Sequence, residues 1–458
     1  MAARAGRPRR SVIRRLFDLA WPVIGLNVLN VLALAVDTAM CGRLEDSETA
    51  LSALGYATQI VFLLMVAMMG LTVGTVSLVS RAHGARKRDR VDHILLQSTQ
   101  LTVFIGVGVG ILGNLFADDI LRLLGATAEV RVEGVAYLRP LMAGATFYYL
   151  NILYGAVLRG VGSTRLPLLI ALGSNAVNVV LNYGFILGNL GLPALGVRGA
   201  ALGTLGAYAF GSITMMWILS RGALPHLRLS LRPRAIDGPL ARELFGIGLP
   251  AALDMVILNA AFLSIVGMLG RIQEVAVAAH GIGLRVQALA FVPGLSVAQA
   301  TGAMVGNALG GRDVAEARSI VRASMILSSA IMTTLAILIV AGAHPIVQHV
   351  FDVPAGTDLE TLSVLWMELL GFGMPIVGMH ITFSGMLQGA GSTWFSLGIN
   401  VISTILIQIP LSWALGFPLG LGAFGVWVAF PLSFVAKVAL GFLVYRSSVW
   451  TRVGIHAS

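Results

Sequence analysis

The 458-residue sequence is poor in charge, cysteine and lysine. Charged residues make up 11% of the chain, whereas about 25% is usual for a soluble domain. Because 57% of the residues are hydrophobic, the chain cannot hide its apolar surface from water by folding alone, which excludes an ordinary soluble domain. The single cysteine, Cys41, excludes an internal disulfide.

Enzyme signatures are absent as well. The sequence contains no phosphate-binding G-x-x-x-x-G-K-[ST] motif, no HExxH pair, no paired-cysteine metal motif and no nucleophile elbow. A formal G-x-G-x-x-G match at Gly108, Gly110 and Gly113 lies inside a long apolar run without a preceding strand. We therefore expect no catalytic residue, no enzyme activity and no cofactor.

Long apolar segments fill the rest of the chain, and each is long enough to cross a bilayer as a helix. Barrel strands are excluded because the runs are too long and do not alternate. The sequence therefore predicts an all-α integral membrane protein with twelve spans, near residues 16–42, 51–79, 94–116, 135–157, 166–188, 197–220, 243–270, 276–305, 319–343, 362–386, 394–417 and 422–446.

The net charge of +10 is explained by where the basic residues lie. With the N-terminus in the cytoplasm, 23 of the 31 lysines and arginines fall on the inner side, including the segment 81–90. The opposite connections are neutral or acidic, as in LEDSE at 44–48. This is the positive-inside pattern. It predicts a bacterial inner-membrane protein with both termini cytoplasmic and no nucleic-acid partner.

The two halves of the sequence are related by a duplication. LRGVGST at 158–164 recurs as LQGAGST at 387–393, and Pro22 matches Pro250. Each copy has an even number of spans, so both copies have the same orientation in the membrane. The pseudo-twofold axis that relates them therefore runs along the membrane normal. We predict a six-helix N-terminal bundle (1–220), a basic linker (221–242), a six-helix C-terminal bundle (243–446) and a cytoplasmic tail (447–458). Two facing bundles suit alternating access.

Asp37 is the feature of the first span that needs an explanation, because a carboxylate in hydrocarbon is costly unless it faces protein or water. Asn175, Asn178 and Asn182 recur at i, i+3 and i+7, which lines one helical face. Two more polar residues, Asn151 and Thr204, lie in the same half. Such a group either binds a proton or a small cation, or is an interhelical hydrogen-bond cluster without further function.

The second half has a different polar set. Shifting Asp37, Asn178 and Asn182 by the repeat offset gives Ile265, Ile407 and Leu411. The other candidates are Asp254, Arg285 and His380. Asp254 either substitutes for the missing acid or pairs with Arg285, and Lys437 is expected to snorkel or to line a cavity. Pro22 is either a kink or a helix-start proline.

Several segments in order resemble the MATE (multidrug and toxic compound extrusion) family. They are VDTAMCGRL at 36–44, the LRGVGST and LQGAGST loops, NAVNVVLNYGFILG at 175–188 and GVRGAALGT at 196–204. The likeness extends from about residue 15 to residue 446. The family belongs to the wider MOP flippase superfamily and includes DinF-like members. Some of these members carry Asp at the position that Asn182 occupies in this chain.

The resemblance implies a two-lobed antiporter that exports organic cations or amphipathic small molecules in exchange for protons or sodium. It implies a cation site formed by Asp37, Asn178, Asn182 and Thr204, with Asn151 nearby, and Na⁺ as one candidate ligand. The lipid bilayer is the remaining partner, and we expect a monomer. A flippase for lipid-linked substrates and a membrane receptor without transport are the alternatives.

Overall fold

The computed structural model describes residues 11–44, 47–224 and 227–451. Most of the basic N-terminus, part of the acidic 44–48 segment and the end of the predicted tail lie outside the described residues. Within the described ranges nearly all of the chain is helical and no strand forms beyond one isolated bridge between Leu224 and Leu227. The all-α prediction is confirmed.

The described residues of the first half of the chain form seven helices. They are α1 (Val12–Cys41), α2 (Ser47–Gly84), α3 (Arg88–Leu123), α4 (Ala128–Ala143), α5 (Ala145–Gly160), α6 (Arg165–Leu187) and α7 (Val197–Ser220). The pair α4 and α5 is bent by 55° at Gly144. Leu205 packs against Gly144, where an added Cβ would lie 1.9 Å from the leucine Cδ1. The bend therefore depends on the missing side chain.

The second half contains α8 (Gly238–Ile272), α9 (Glu274–Gly310), α10 (Val314–Ala341), a short α11 (Ala343–Pro345) and α12 (Asp358–Gly389). A further span consists of α13 (Thr393–Asn400), a π-helical stretch (Val401–Gln408) and α14 (Ile409–Gly416). The last long helix is α15 (Gly422–Ser447). π-Helical turns are rare overall but frequent at functional sites.

The number of spans agrees with the prediction. Among the described residues, eleven helices are long and apolar enough to cross a membrane, or twelve if the bent pair α4 and α5 counts as one span. The twelve predicted segments coincide with these spans. The fourth differs from the expectation of one continuous helix because Gly144 separates its two parts.

The described chain forms two compact units. The N-terminal unit comprises Gly25–Ala252, and the C-terminal unit comprises the residues from Leu253 onward together with the part of α1 up to Ile24. The two boundaries fall inside α1 and α8, each two residues after a proline, Pro22 or Pro250. Because α1 begins at Val12, Pro22 is not a helix-start residue.

Close helix packing inside each unit depends on glycine. In the N-terminal unit, a Cβ on Gly248 would lie 2.2 Å from the carbonyl oxygen of Gly70, and one on Gly106 would lie 2.6 Å from Thr146 Oγ1. In the C-terminal unit, a Cβ on Gly389 would lie 2.0 Å from the carbonyl oxygen of Gly302. Gly74 and Gly110 approach the carbonyl oxygens of Leu244 and Met142 in the same way, since small residues let helix backbones approach.

The segment between α7 and α8 is bound to the N-terminal part of α3, within the N-terminal unit. Gln97 Nε2 donates to the Ala235 carbonyl (2.9 Å), and His93 Nε2 contacts Asp237 Oδ2 (2.9 Å). Asp237 also accepts from the backbone N–H of Leu240 and so caps α8. α8 begins at Gly238, so the last part of the predicted linker is already helical.

Candidate functional site

Three helices of the N-terminal unit bring the predicted polar residues together. α1 carries Asp37, α6 carries Asn178 and Asn182, and α7 carries Thr204. Asn178 and Asn182 are four residues apart and therefore lie on the same face of α6. Asp37 is 6% exposed and Asn182 is fully buried. The four side chains thus form a polar group inside an otherwise apolar bundle.

Hydrogen bonds close this group into a ring, which we call the Asp37 ring (Asp37, Asn178, Asn182 and Thr204). Asn182 Nδ2 donates to Asp37 Oδ1 (2.5 Å) and to Asn178 Oδ1 (3.2 Å). Thr204 Oγ1 donates to Asp37 Oδ2 (3.1 Å) and accepts from Asn178 Nδ2 (3.5 Å). Both carboxylate oxygens therefore accept from neutral donors.

One oxygen of the ring has no protein partner. Asn182 Oδ1 is buried and accepts no hydrogen bond among the described residues. It faces Gly203 on α7, where an added Cβ would lie only 2.0 Å away. The absence of a side chain at residue 203 therefore gives the amide oxygen its space. A carboxylate together with amide and hydroxyl oxygens is the donor set that hard cations prefer.

Two of the predicted residues lie apart from the ring. Asn175 donates to the carbonyl of Ala171 within α6 (2.8 Å). Asn151 on α5 lies beside Gly211 and Ser174, since a Cβ on Gly211 would be 2.3 Å from its Nδ2.

The C-terminal unit has a second buried carboxylate. Asp254 on α8 is 6% exposed and accepts from Ser396 Oγ (3.0 Å) and Asn400 Nδ2 (2.7 Å) on α13. The hypothesis of a pair with Arg285 is wrong, because Arg285 is exposed and the charged side chain that interacts with Asp254 is Lys437 on α15. Lys437 is also not a snorkelling residue, since it is 1% exposed.

His380 lies beside this second group. Its ring meets Phe434 edge to face at 5.4 Å, and Lys437 Nζ lies 4.4 Å from the centroid of the same phenylalanine. His380 Nδ1 is buried and has no hydrogen-bond partner among the described residues. His380 therefore belongs to the group formed by Asp254 and Lys437.

Sequence reasoning missed Ser396, Asn400 and the role of Lys437. A signal was present, because Ser396 and Asn400 have the i, i+4 spacing of Asn178 and Asn182, and α13 follows the second copy of the repeated loop just as α6 follows the first. The carboxylate of the second half, however, does not lie at the repeat counterpart of Asp37. Asp254 precedes Ile265, the repeat counterpart of Asp37, by eleven positions, or about 16 Å along a helix.

The comparisons with known proteins agree with this architecture. The MatE family model matches residues 22–184 and 250–414. The chain is 26% identical over 441 residues to the probable multidrug resistance protein NorM of Thermotoga maritima, covering 96% of this chain and 93% of that protein. It is 25% identical to the probable multidrug resistance protein YoeA of Bacillus subtilis, covering 97% and 96%.

Solved structures share the fold. A crystal structure of MATE in the bent conformation superposes with a TM-score of 0.87 at 23% identity, covering 98% of this chain and 96% of the other. An outward-facing multidrug resistance MATE family transporter of the MOP superfamily gives a TM-score of 0.87 at 24% identity, covering 97% and 98%. With the family model matched in both halves, the chain is a multi-pass membrane protein that belongs to the MatE family.

Proposed function

We propose that this protein is a multidrug efflux transporter, and that it works as an antiporter coupled to protons or sodium. Relatives along nearly the whole chain are named multidrug resistance proteins. The exported substrate class is then a cationic or amphipathic small molecule. The protein needs no cofactor in this proposal.

The Asp37 ring is the observation that carries the proposal. A buried carboxylate that meets only neutral donors keeps an uncompensated negative charge, and a proton or Na⁺ supplies the missing positive charge. Asn182 Oδ1 offers an unused acceptor beside it. We propose Asp37, Asn178, Asn182 and Thr204 as the coupling site. Asn151 and Asn175 fall outside it because their contacts lie elsewhere.

The position of Asp37 along α1 suggests how occupancy is linked to transport. Asp37 lies fifteen residues after Pro22, in the part of α1 that belongs to the N-terminal unit. Proline removes a helical hydrogen bond and allows a bend. We propose that binding of the coupling cation at Asp37 repacks α1 near Pro22 and releases the exported compound.

The charge distribution supports an orientation. Basic residues concentrate at the ends of spans that would face the cytoplasm, which favours cytoplasmic termini and a bacterial inner membrane. We propose a monomer as the working form, because each unit carries its own polar site within one chain.

Gradient-driven transport tests the proposal directly. Purified protein in liposomes is given a pH gradient or a sodium gradient, and uptake of a cationic dye is followed for the wild type and for Asp37→Asn. We expect gradient-driven transport in the wild type and its loss in Asp37→Asn. An exposed acid, Asp119, gives the matched control Asp119→Asn, which should transport like the wild type.

The gradient that drives transport identifies the coupling ion. Unchanged transport by Asp37→Asn would remove Asp37 from the mechanism. If the wild type moves no dye under either gradient, the alternatives return: transport of a lipid-linked substrate indicates a flippase, and substrate binding without transport indicates a receptor.

A further inference from the structure

The C-terminal unit buries two opposite charges in one cluster, formed by Asp254, Lys437, Ser396, Asn400 and His380 and called here the Lys437 cluster. Both side chains are almost completely buried. Ser433, one turn before Lys437 on α15, donates to Gln408 Oε1 (3.2 Å) at the end of the span that carries the partners of Asp254. The two charges act on each other through the protein interior and not in a direct ion pair. The Asp37 ring, by contrast, has a carboxylate and no basic side chain among its hydrogen-bond partners. The two carboxylate sites of the protein therefore differ in charge.

The surroundings of Asp254 are otherwise those of a cation site. Both carboxylate oxygens accept from neutral donors on α13, Ser396 and Asn400. Asn400 Oδ1 is buried and has no hydrogen-bond partner among the described residues. The same is true of Asn182 Oδ1 in the Asp37 ring. A carboxylate, a hydroxyl and a spare amide oxygen are hard ligands suited to a small cation.

Lys437 supplies the positive charge that such a site would otherwise take from solution. Its ammonium group lies over the face of Phe434, a favourable cation–π contact, and is held away from water. In the described part of the chain, the titratable groups that interact electrostatically within the cluster are Asp254, Lys437 and His380. A second small cation would be repelled by the ammonium group.

We propose that Lys437 is the resident cation of a second carboxylate site, so that Asp254 exchanges protons but does not bind sodium. A proton that binds the carboxylate converts it to a neutral acid and leaves the cluster with the single charge of Lys437; its release restores the neutral pair. This proposal extends the ion coupling proposed above to a second site. It concerns ion binding alone and can be tested without transport.

The backbone around the cluster is suited to such a change. The π-helical stretch begins at Val401, directly after Asn400, and such interruptions of α-helices are frequent at functional sites. Pro250 lies one turn before Asp254 in α8. Asp254 and its amide partner Asn400 therefore each lie close to an irregular point in their own helix.

Thermal unfolding in detergent tests the proposal on the full-length protein. All variants are made in Asp37→Asn, which silences the first site, and NaCl is compared with choline chloride at equal ionic strength. Lys437→Met removes the resident cation and keeps a long, unbranched side chain. We expect sodium to raise the Tm of Lys437→Met by several degrees, with an affinity at least about tenfold above that of the parent.

Matched variants separate this effect from a structural one. Lys437→Arg keeps the charge and should remain insensitive to sodium, and Asp254→Asn combined with Lys437→Met should lose the sodium response. A parent that responds to sodium as strongly as Lys437→Met would overturn the proposal, as would a folded Lys437→Met without a sodium response. Lys437→Gln replaces Lys437→Met if the latter does not fold.

Infrared titration gives a second readout that leaves Lys437 in place. In the Asp37→Asn parent, the protonated-carboxyl band formed on acidification should contain a component that is missing from the Asp254→Asn combination, as the difference between the two spectra shows, and that component should remain unchanged on adding sodium. Loss of that band on addition of sodium would contradict the proposal. Because neither experiment requires transport, their failure is distinguishable from failure of the antiporter function.

Discussion

Asn182 donates a hydrogen bond from its amide Nδ2 to the Oδ1 of Asp37, a residue 145 positions earlier in the chain. The same amide group also donates to Asn178, so both of its N–H bonds are used and only its oxygen remains free. This single side chain therefore joins α1 to α6, orients the carboxylate and presents an acceptor beside it.

Removing this amide should affect Asp37 more than removing any other member of the ring. Asn182→Leu should lower stability by about 1–3 kcal/mol, because a buried carboxylate loses a donor. Thr204→Val, which removes one donor at constant shape, should cost less. Thermal unfolding checks the order, and Asn175→Leu is the control because Asn175 bonds only within its own helix. Equal effects of Asn182→Leu and Asn175→Leu would contradict the ring.

The space at Gly203 gives a second prediction. Gly203→Ala would place a methyl group 2.0 Å from Asn182 Oδ1, so the asparagine must move and the ring must open. Overpacking of this kind costs about 1–3 kcal/mol, and coupled transport should fall with it. Gly108→Ala is the matched control because its Cβ would enter open space in α3. A Gly203→Ala variant as active as Gly108→Ala would show that the ring tolerates displacement of Asn182.

Pro22 provides a test of the bend in α1. Pro22→Ala restores a backbone donor in the helix interior, where proline costs about 3 kcal/mol or more. We therefore expect a higher Tm and a lower rate of gradient-driven transport, with substrate binding unchanged. Pro140→Ala in α4 is the control, since that helix carries no member of the ring. Transport by Pro22→Ala at the wild-type rate would exclude a role for the bend.

Acid should loosen the segment between α7 and α8. His93 bonds the carboxylate of Asp237, and with the Leu240 N–H it lowers the pKa of Asp237 below its usual value. A group with a lowered pKa stabilises the fold above its unfolded pKa of about 3.9 and loses that effect as the pH falls further. Hydrogen exchange, corrected for the intrinsic pH effect, should show loss of protection at 227–237 only below about pH 4. Asp237→Asn should show weak protection that no longer depends on pH.

Much of the helical architecture could be predicted from the sequence because it depends on apolar runs, and these are local. The grouping of Asp37 with Asn178, Asn182 and Thr204 followed from the spacing of the asparagines along one helical face and from the family resemblance, and the structure brings these residues together. That they bind a cation stays a proposal. The bend at Gly144 was missed because its cause, the packing of Leu205, comes from a distant helix.

The partners of Asp254 were missed for a related reason. Arg285 was the basic residue found in the neighbouring span, whereas Lys437 lies 183 positions away along the chain. Only the packing of α8, α13 and α15 around one point makes the lysine its neighbour. One face of α15 has the helical spacing of a buried surface and carries Trp427, Phe430, Phe434 and Lys437. Helical spacing does not show which other helix packs against that face.

The burial of Lys437 also gives this protein a convenient chemical property. The sequence has only two lysines, and Lys87 in the turn before α3 is exposed whereas Lys437 is buried. An amine-reactive probe should therefore modify Lys87 at once and reach Lys437 only when the C-terminal unit opens. The ratio of the two labelled peptides in a mass spectrum, followed over time, gives the rate of that opening. No engineered residue is required.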